Sequence, residues 1–93
     1  MIERDGNQLR VTGALTLANV TALSEAGKQQ LSGDVVVDLA GVTEVDSTAL
    51  SLLLEWRRTA QQNNFRISFR NLPESLKSLA ALYGVADLVA PNA

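Results

Sequence analysis

Asp34-Val-Val-Val-Asp-Leu-Ala-Gly41 is the segment from which the architecture can be built. A valine-rich apolar run bounded by turn residues has the pattern of a strand covered on both faces, as in a parallel or mixed sheet. It is therefore expected to be the central strand. Immediately downstream, in Thr43-Glu-Val-Asp-Ser-Thr-Ala-Leu-Ser-Leu-Leu-Leu-Glu-Trp-Arg-Arg58, the apolar period lengthens to that of a helix. That helix is expected to run from Ser47 to Gln62 and to close at Asn63-Asn64.

The flanking sequence supplies the other layers. Gly6-Asn7 is a turn signal between Met1-Asp5 and Gln8-Thr12, which read as a hairpin, with Leu9 and Val11 on its buried face. Thr16 reads as the N-cap of a first helix, Leu17 to Leu31, with Leu17, Val20, Leu23, Ser24, Gly27 and Leu31 on one face. Phe65-Arg-Ile-Ser-Phe-Arg70 alternates strictly, so it is expected to be a strand with Phe65, Ile67 and Phe69 facing inward. Pro73 to Tyr83 reads as a third helix: Pro73 suits its first position, Leu76, Leu79, Ala80 and Tyr83 form its buried face, and Gly84 stops it. Val85 to Val89 adds a last strand or a helical turn. Together these segments predict an α/β fold, with a mixed sheet of four to five strands and about three helices packed against it. Residues 1–93 read as a single domain with no internal repeat or linker.

Composition narrows the function. Apolar residues make up 46% of the 93 residues and charged residues 19%, the balance of a folded chain. The net charge is −2 and the basic residues are scattered, so no footprint for nucleic acid is present. Histidine and cysteine are both absent, which removes the commonest general base, the commonest transition-metal ligand and all thiolate chemistry. Asp38 and Asp46 lie near strand ends, where ligands gather in α/β sheets. With no glycine-rich phosphate loop and a domain too small for a deep pocket, however, the expectation is a non-catalytic protein without metal or cofactor. The chain opens Met1-Ile-Glu-Arg-Asp5 without a long apolar stretch, and no apolar run reaches the roughly 18–20 residues that span a bilayer. A soluble cytoplasmic protein that works through protein partners, without inserting into a membrane, is expected.

Asp46-Ser47-Thr48, at the mouth of the second helix, admits two readings. In the first, Asp46 or Ser47 is a helix cap, its side-chain oxygen accepting from an orphaned N–H of the first turn. In the second, the triplet is a recognition and switching site. Backbone N–H groups and the helix dipole favour added negative charge there, so Ser47 or Thr48 can carry a phosphate without unfolding the helix, although Asp46 opposes that charge.

The helix itself is broadly apolar. At about 100° per residue, Ala49, Leu53 and Ala60 centre one face, with Leu52 and Trp56 on one flank and Leu50 and Leu54 on the other. The arc spans roughly 200°, against little over 100° for a single core contact. Either Trp56 packs within the molecule and arginine stems cover the excess, or a protein-binding surface starts at Ser47 and runs through Ser51 and Leu54 to Arg58, with Arg57 beside it. Self-association through this apolar edge is expected when the partner is absent.

Val35-Val-Val-Asp-Leu-Ala-Gly-Val-Thr-Glu-Val-Asp-Ser-Thr-Ala-Leu50 resembles the central signature of STAS domains, the sulfate-transporter and anti-sigma-factor-antagonist family. That signature is a valine-rich strand ending Asp-Leu, a short loop, and Asp-Ser-x-Gly-Leu opening a helix. Leu79-Ala-Ala-Leu-Tyr-Gly-Val85 is similar to the ending of the stand-alone STAS subunits of Mla phospholipid-transport ABC systems. The resemblance implies a subunit that binds the cytoplasmic ATPase, lies peripheral to the inner membrane through that partner and its permease, and supports their activity. Within the family, Ser47 matches the serine phosphorylated in anti-sigma-factor antagonists and a hydroxyl residue important for ATPase contact in the Mla subunits, and Asp46 matches the aspartate before it. An antagonist switched at Ser47 is thus the alternative. The chain departs from the antagonists at Ala49, where they usually carry glycine. A methyl group there obstructs close approach by a kinase-type partner but leaves a constitutive interface undisturbed.

Overall fold

A computed structural model describes residues 2–89. Met1, assigned above to the first hairpin segment, and positions 90–93, included in the single domain, lie outside the described residues. The elements in chain order are β1 (Ile2–Asp5), β2 (Gln8–Leu15), α1 (Val20–Gln30), β3 (Val35–Val45), α2 (Ser47–Gln62), β4 (Ile67–Arg70), α3 (Glu74–Leu82) and α4 (Ala86–Val89). The four strands form one mixed sheet in the order β1-β2-β3-β4. The β1–β2 hairpin is antiparallel, whereas β3 runs parallel to both β2 and β4.

This topology corrects one expectation. Each parallel strand is added on the same side of the one before, so right-handed crossovers place the intervening helices on the same face of the sheet. The core lies between that face and the helices. Leu9, Val37 and Phe69 stand in register across it, each 1% exposed or less. No described helix covers the opposite face, where Arg10, Ala40 and Arg70 are exposed. β3 was expected to be covered on both sides, yet it alternates: Val35, Val37 and Leu39 are buried, Val36 and Asp38 half-buried, and Ala40 exposed.

The second helix occupies the expected residues because both of its ends are determined locally. Asp46 caps it in an extended conformation, and at the other end the Asn63 N–H returns to the carbonyls of Thr59 and Ala60 while Asn64 takes a left-handed φ of 59°. Most of its broad apolar arc is covered within the molecule, with Leu54 half-buried at its edge. α1 packs on the Trp56 flank, with Gly27 directly under the indole, and α3 and α4 pack against α2 as well.

The first helix starts later than expected. Asn19, not Thr16, is its cap residue, and the Asn19 side chain reaches back to accept from both the N–H and the hydroxyl of Thr16. This local turn takes residues 16–19 out of the helix, so Leu17, expected on the buried face, is 72% exposed. β2 and β3 extend further than their apolar runs, and β4 begins at Ile67, with Phe65 half-buried ahead of it. Pro73 is the cap of α3 rather than its first residue, and the segment after Gly84 is a helical turn, α4.

Candidate functional site at the mouth of the second helix

Asp46 ends β3 and opens α2, and its carboxylate is fully engaged. Oδ1 accepts from the Thr48 N–H at 2.9 Å and from the Thr48 hydroxyl, while Oδ2 accepts from the Leu17 N–H at 3.0 Å. The cap thereby ties the mouth of α2 to the turn that follows β2. The Thr48 hydroxyl, then the Leu17 amide, hold the Asp46 carboxyl below its ordinary pKa. Thr48 is spent on the same network and is half-buried. Of the triplet, Ser47 alone is exposed, and its hydroxyl makes no hydrogen bond to the other described residues.

Ser47 forms one end of a shallow groove of about 240 Å³. Its lining comprises Ser47, Leu50, Ser51 and Leu54 from α2, with Tyr83 and Val85 from the corner between α3 and α4. The lining contains no charged residue: two hydroxyls stand on one wall, with leucine, valine and a phenol around them. Ser47, Ser51 and Leu54 are thus brought together as the helical period implied. Arg58 is exposed but does not line the groove, and Arg57 lines a separate cleft with Ala60, Gln61, Phe65, Arg66 and Ile67.

Tyr83 departs from its expected place. Helical spacing put it on the buried face with Leu76 and Ala80, but α3 ends at Leu82, and Tyr83 is the C-cap, 58% exposed. Gly84 takes a φ of 71°, a left-handed conformation that stops the helix, and Tyr83 lines the groove opposite the α2 residues. Leu82 and Leu88, at 76% and 38% exposed, add apolar surface to the same corner. The sequence signal for this wall was available: a tyrosine immediately before a helix-stopping glycine.

Asp38 faces the uncovered side of the sheet and is likewise structurally occupied. Its Oδ1 accepts from Asn71 Nδ2 and from the Ala40 N–H, each at 2.9 Å. Those bonds, the Asn71 one first, lower its pKa. Among the described residues no group of three or more acidic, histidine or cysteine side chains is placed to hold a metal ion. No helix among them is long and apolar enough to cross a membrane.

A protein-family model described as "Mlab, STAS domain" matches residues 1–90. The chain belongs to the STAS domain family. None of the curated proteins compared with it matches. Among solved structures, this STAS domain is similar to a crystal structure of Mglu, with a TM-score of 0.62 and 24% identity over 80% of this chain and 19% of that one. It is also similar to Mglu in its native form, with a TM-score of 0.56 and 21% identity over 77% of this chain and 22% of that one. The STAS domain therefore spans about a fifth of the length of those structures, and at such identities the likeness is one of fold.

Proposed function

We propose that this STAS domain is a non-catalytic cytoplasmic subunit that binds and supports the ATPase of an Mla-like phospholipid-transporting ABC system. It is peripheral to the inner membrane through that ATPase and its permease. The observation that carries this reading is the uncharged groove beside Ser47, open at the mouth of α2 and walled by Leu54, Val85 and the exposed Tyr83. A tyrosine beside aliphatic side chains and free hydroxyls is the composition of a protein-binding surface, and Tyr is among the residues that dominate binding energy. The family description, which names Mlab, favours the same assignment.

One observation favours the alternative, an anti-sigma-factor antagonist switched by phosphorylation: the Ser47 hydroxyl is exposed at the first position of a helix. Asp46 does not separate the two readings, because the antagonists carry the same aspartate before their serine, and Ala49, expected to obstruct a kinase-type partner, is 0% exposed and faces the core instead.

Pull-down of the tagged protein from its own cells, analysed by mass spectrometry, separates the two readings. An ABC ATPase and its permease recovered with the wild type, and depleted with Ser47→Glu, is the expected result. Recovery of a serine kinase in their place would transfer the assignment to the antagonist.

A further inference from the structure

The uncovered face of the sheet is a second surface, distinct from the groove. Parallel strands are nearly always covered on both faces, yet β2, β3 and β4 are parallel and present one face outward, with the β-branched Val36 half-buried at its centre. Around Val36 the face is ordered in charge. In register, Glu3 lies beside Arg10, Arg10 beside Asp38 and Asp38 beside Arg70, so one line across the four strands reads minus, plus, minus, plus, with Arg10 also 3.6 Å from the Asp5 carboxylate of the adjacent line. Glu3, Arg10 and Arg70 are exposed and Asp38 is half-buried. The adjacent line, Asp5, Gln8, Val36 and Ser68, carries a single charge.

An even, alternating row is complementary to its own reverse. Two such sheets laid face to face, with a two-fold axis along the strands between β2 and β3, bring Arg10 opposite Asp38 of the second copy and Glu3 opposite Arg70 of the second copy. Every facing pair is then of opposite sign. Rotation about an axis across the strands brings like charges together, so the row also selects the orientation. In the selected orientation the neighbouring line sets Asp5 against Ser68 and Gln8 against Val36, with no like-charge contact. We infer that the open sheet face is a self-association surface for a second copy of this chain, paired isologously through Glu3, Arg10, Asp38 and Arg70. Four strands about 4.8 Å apart give a face of roughly 400 Å² per copy, which places the contact in the weak, transient class. This dimer uses neither the apolar edge of α2 nor the groove, so it is compatible with the docking proposed above and independent of it.

Sedimentation equilibrium of the purified protein, up to about 1 mM, where a contact of this size populates, tests the inference. Wild type is expected to show a monomer–dimer equilibrium that weakens with added salt. Glu3→Arg and Arg70→Glu each set like charges together twice across the axis, and each is expected to weaken association about tenfold or more. The double variant Glu3→Arg/Arg70→Glu restores opposite signs and is expected to recover the dimer. Neither side chain makes a hydrogen bond to the other described residues, and circular dichroism checks that the fold is kept. A wild type that stays monomeric throughout, single variants that associate as wild type does, or a double variant that fails to recover would each overturn the inference.

Discussion

The indole of Trp56 lies directly on Gly27: a β-carbon built at position 27 would stand 2.2 Å from Cζ2 of the ring. Trp56 is 0% exposed, so the ring has no room to retreat. α1 and α2 approach this closely because position 27 has no side chain. Gly27→Ala gains about 1 kcal/mol of helix propensity but forces the helices apart, and a net loss of about 1–3 kcal/mol is expected by urea denaturation. Trp56→Phe in that background removes the clashing ring and is expected to recover part of the loss, giving a coupling of about 1 kcal/mol in a double-mutant cycle. Trp56 is the only tryptophan, so its fluorescence reports the same packing. Independent, additive effects of the two substitutions would contradict this account.

Asp38 and Asp46 make stability depend on acid. Both have folded pKa values below that of an unfolded aspartate, Asp38 mainly through Asn71 and Asp46 mainly through Thr48. A depressed folded pKa means that the stabilisation is fully present above the unfolded value of about 3.9 and is lost as pH falls through the folded one. Unfolding free energy is therefore expected to drop below about pH 4, and to drop less steeply in Asp46→Asn and in Asn71→Ala than in wild type. Urea titrations at successive pH values measure the slope. An unchanged slope in both variants would remove these two carboxylates from the acid response.

Leu17 and Leu23 share a helical face on paper, yet one is 72% exposed and the other 7%. The Asn19–Thr16 turn separates them. Leu17→Ser is expected to alter stability by no more than about 0.5 kcal/mol, whereas Leu23→Ala is expected to cost about 2–5 kcal/mol. Thermal melts of the two variants decide the point, and equal losses would return Leu17 to the core.

The sequence was most legible where the determinants are local. α2 runs from Ser47 to Gln62 as expected because an aspartate cap and an Asn-Asn stop lie at its own ends. Leu9 and Phe69 were readable as core from alternation alone. What escaped depends on competition or on topology. Thr16 and Asn19 are both residues that cap helices, yet Asn19 takes the cap position without a side-chain cap bond, its Oδ1 being occupied by Thr16. The open sheet face follows from strand order, which no single strand encodes; the valine run of β3 suggested the opposite. Tyr83 was misplaced because helical periodicity carries no mark of where the last turn ends.

The corrected position of Tyr83 yields the sharpest test of the proposed site. Ser47, Leu54 and Tyr83 line one groove, while Arg58, on the same helix and counted in the same stripe from sequence, lies off it. If the groove is the docking surface, affinity for the purified ATPase should follow the lining rather than the stripe. Calorimetric titration is expected to show Tyr83→Ala weakened at least about tenfold, because an exposed tyrosine at a groove wall has the character of an interface anchor. Ser47→Glu and Leu54→Asp should weaken binding as well, since each puts a charge into an uncharged lining that a partner must desolvate. Arg58→Ala is expected to change affinity by less than about threefold, as substitutions outside the anchors usually do. Tyr83 is 58% exposed, so Tyr83→Ala should leave the melting behaviour close to wild type, separating lost contact from lost fold. The opposite order, with Arg58→Ala disruptive and Tyr83→Ala silent, would move the interface away from the groove and along the solvent-facing side of α2.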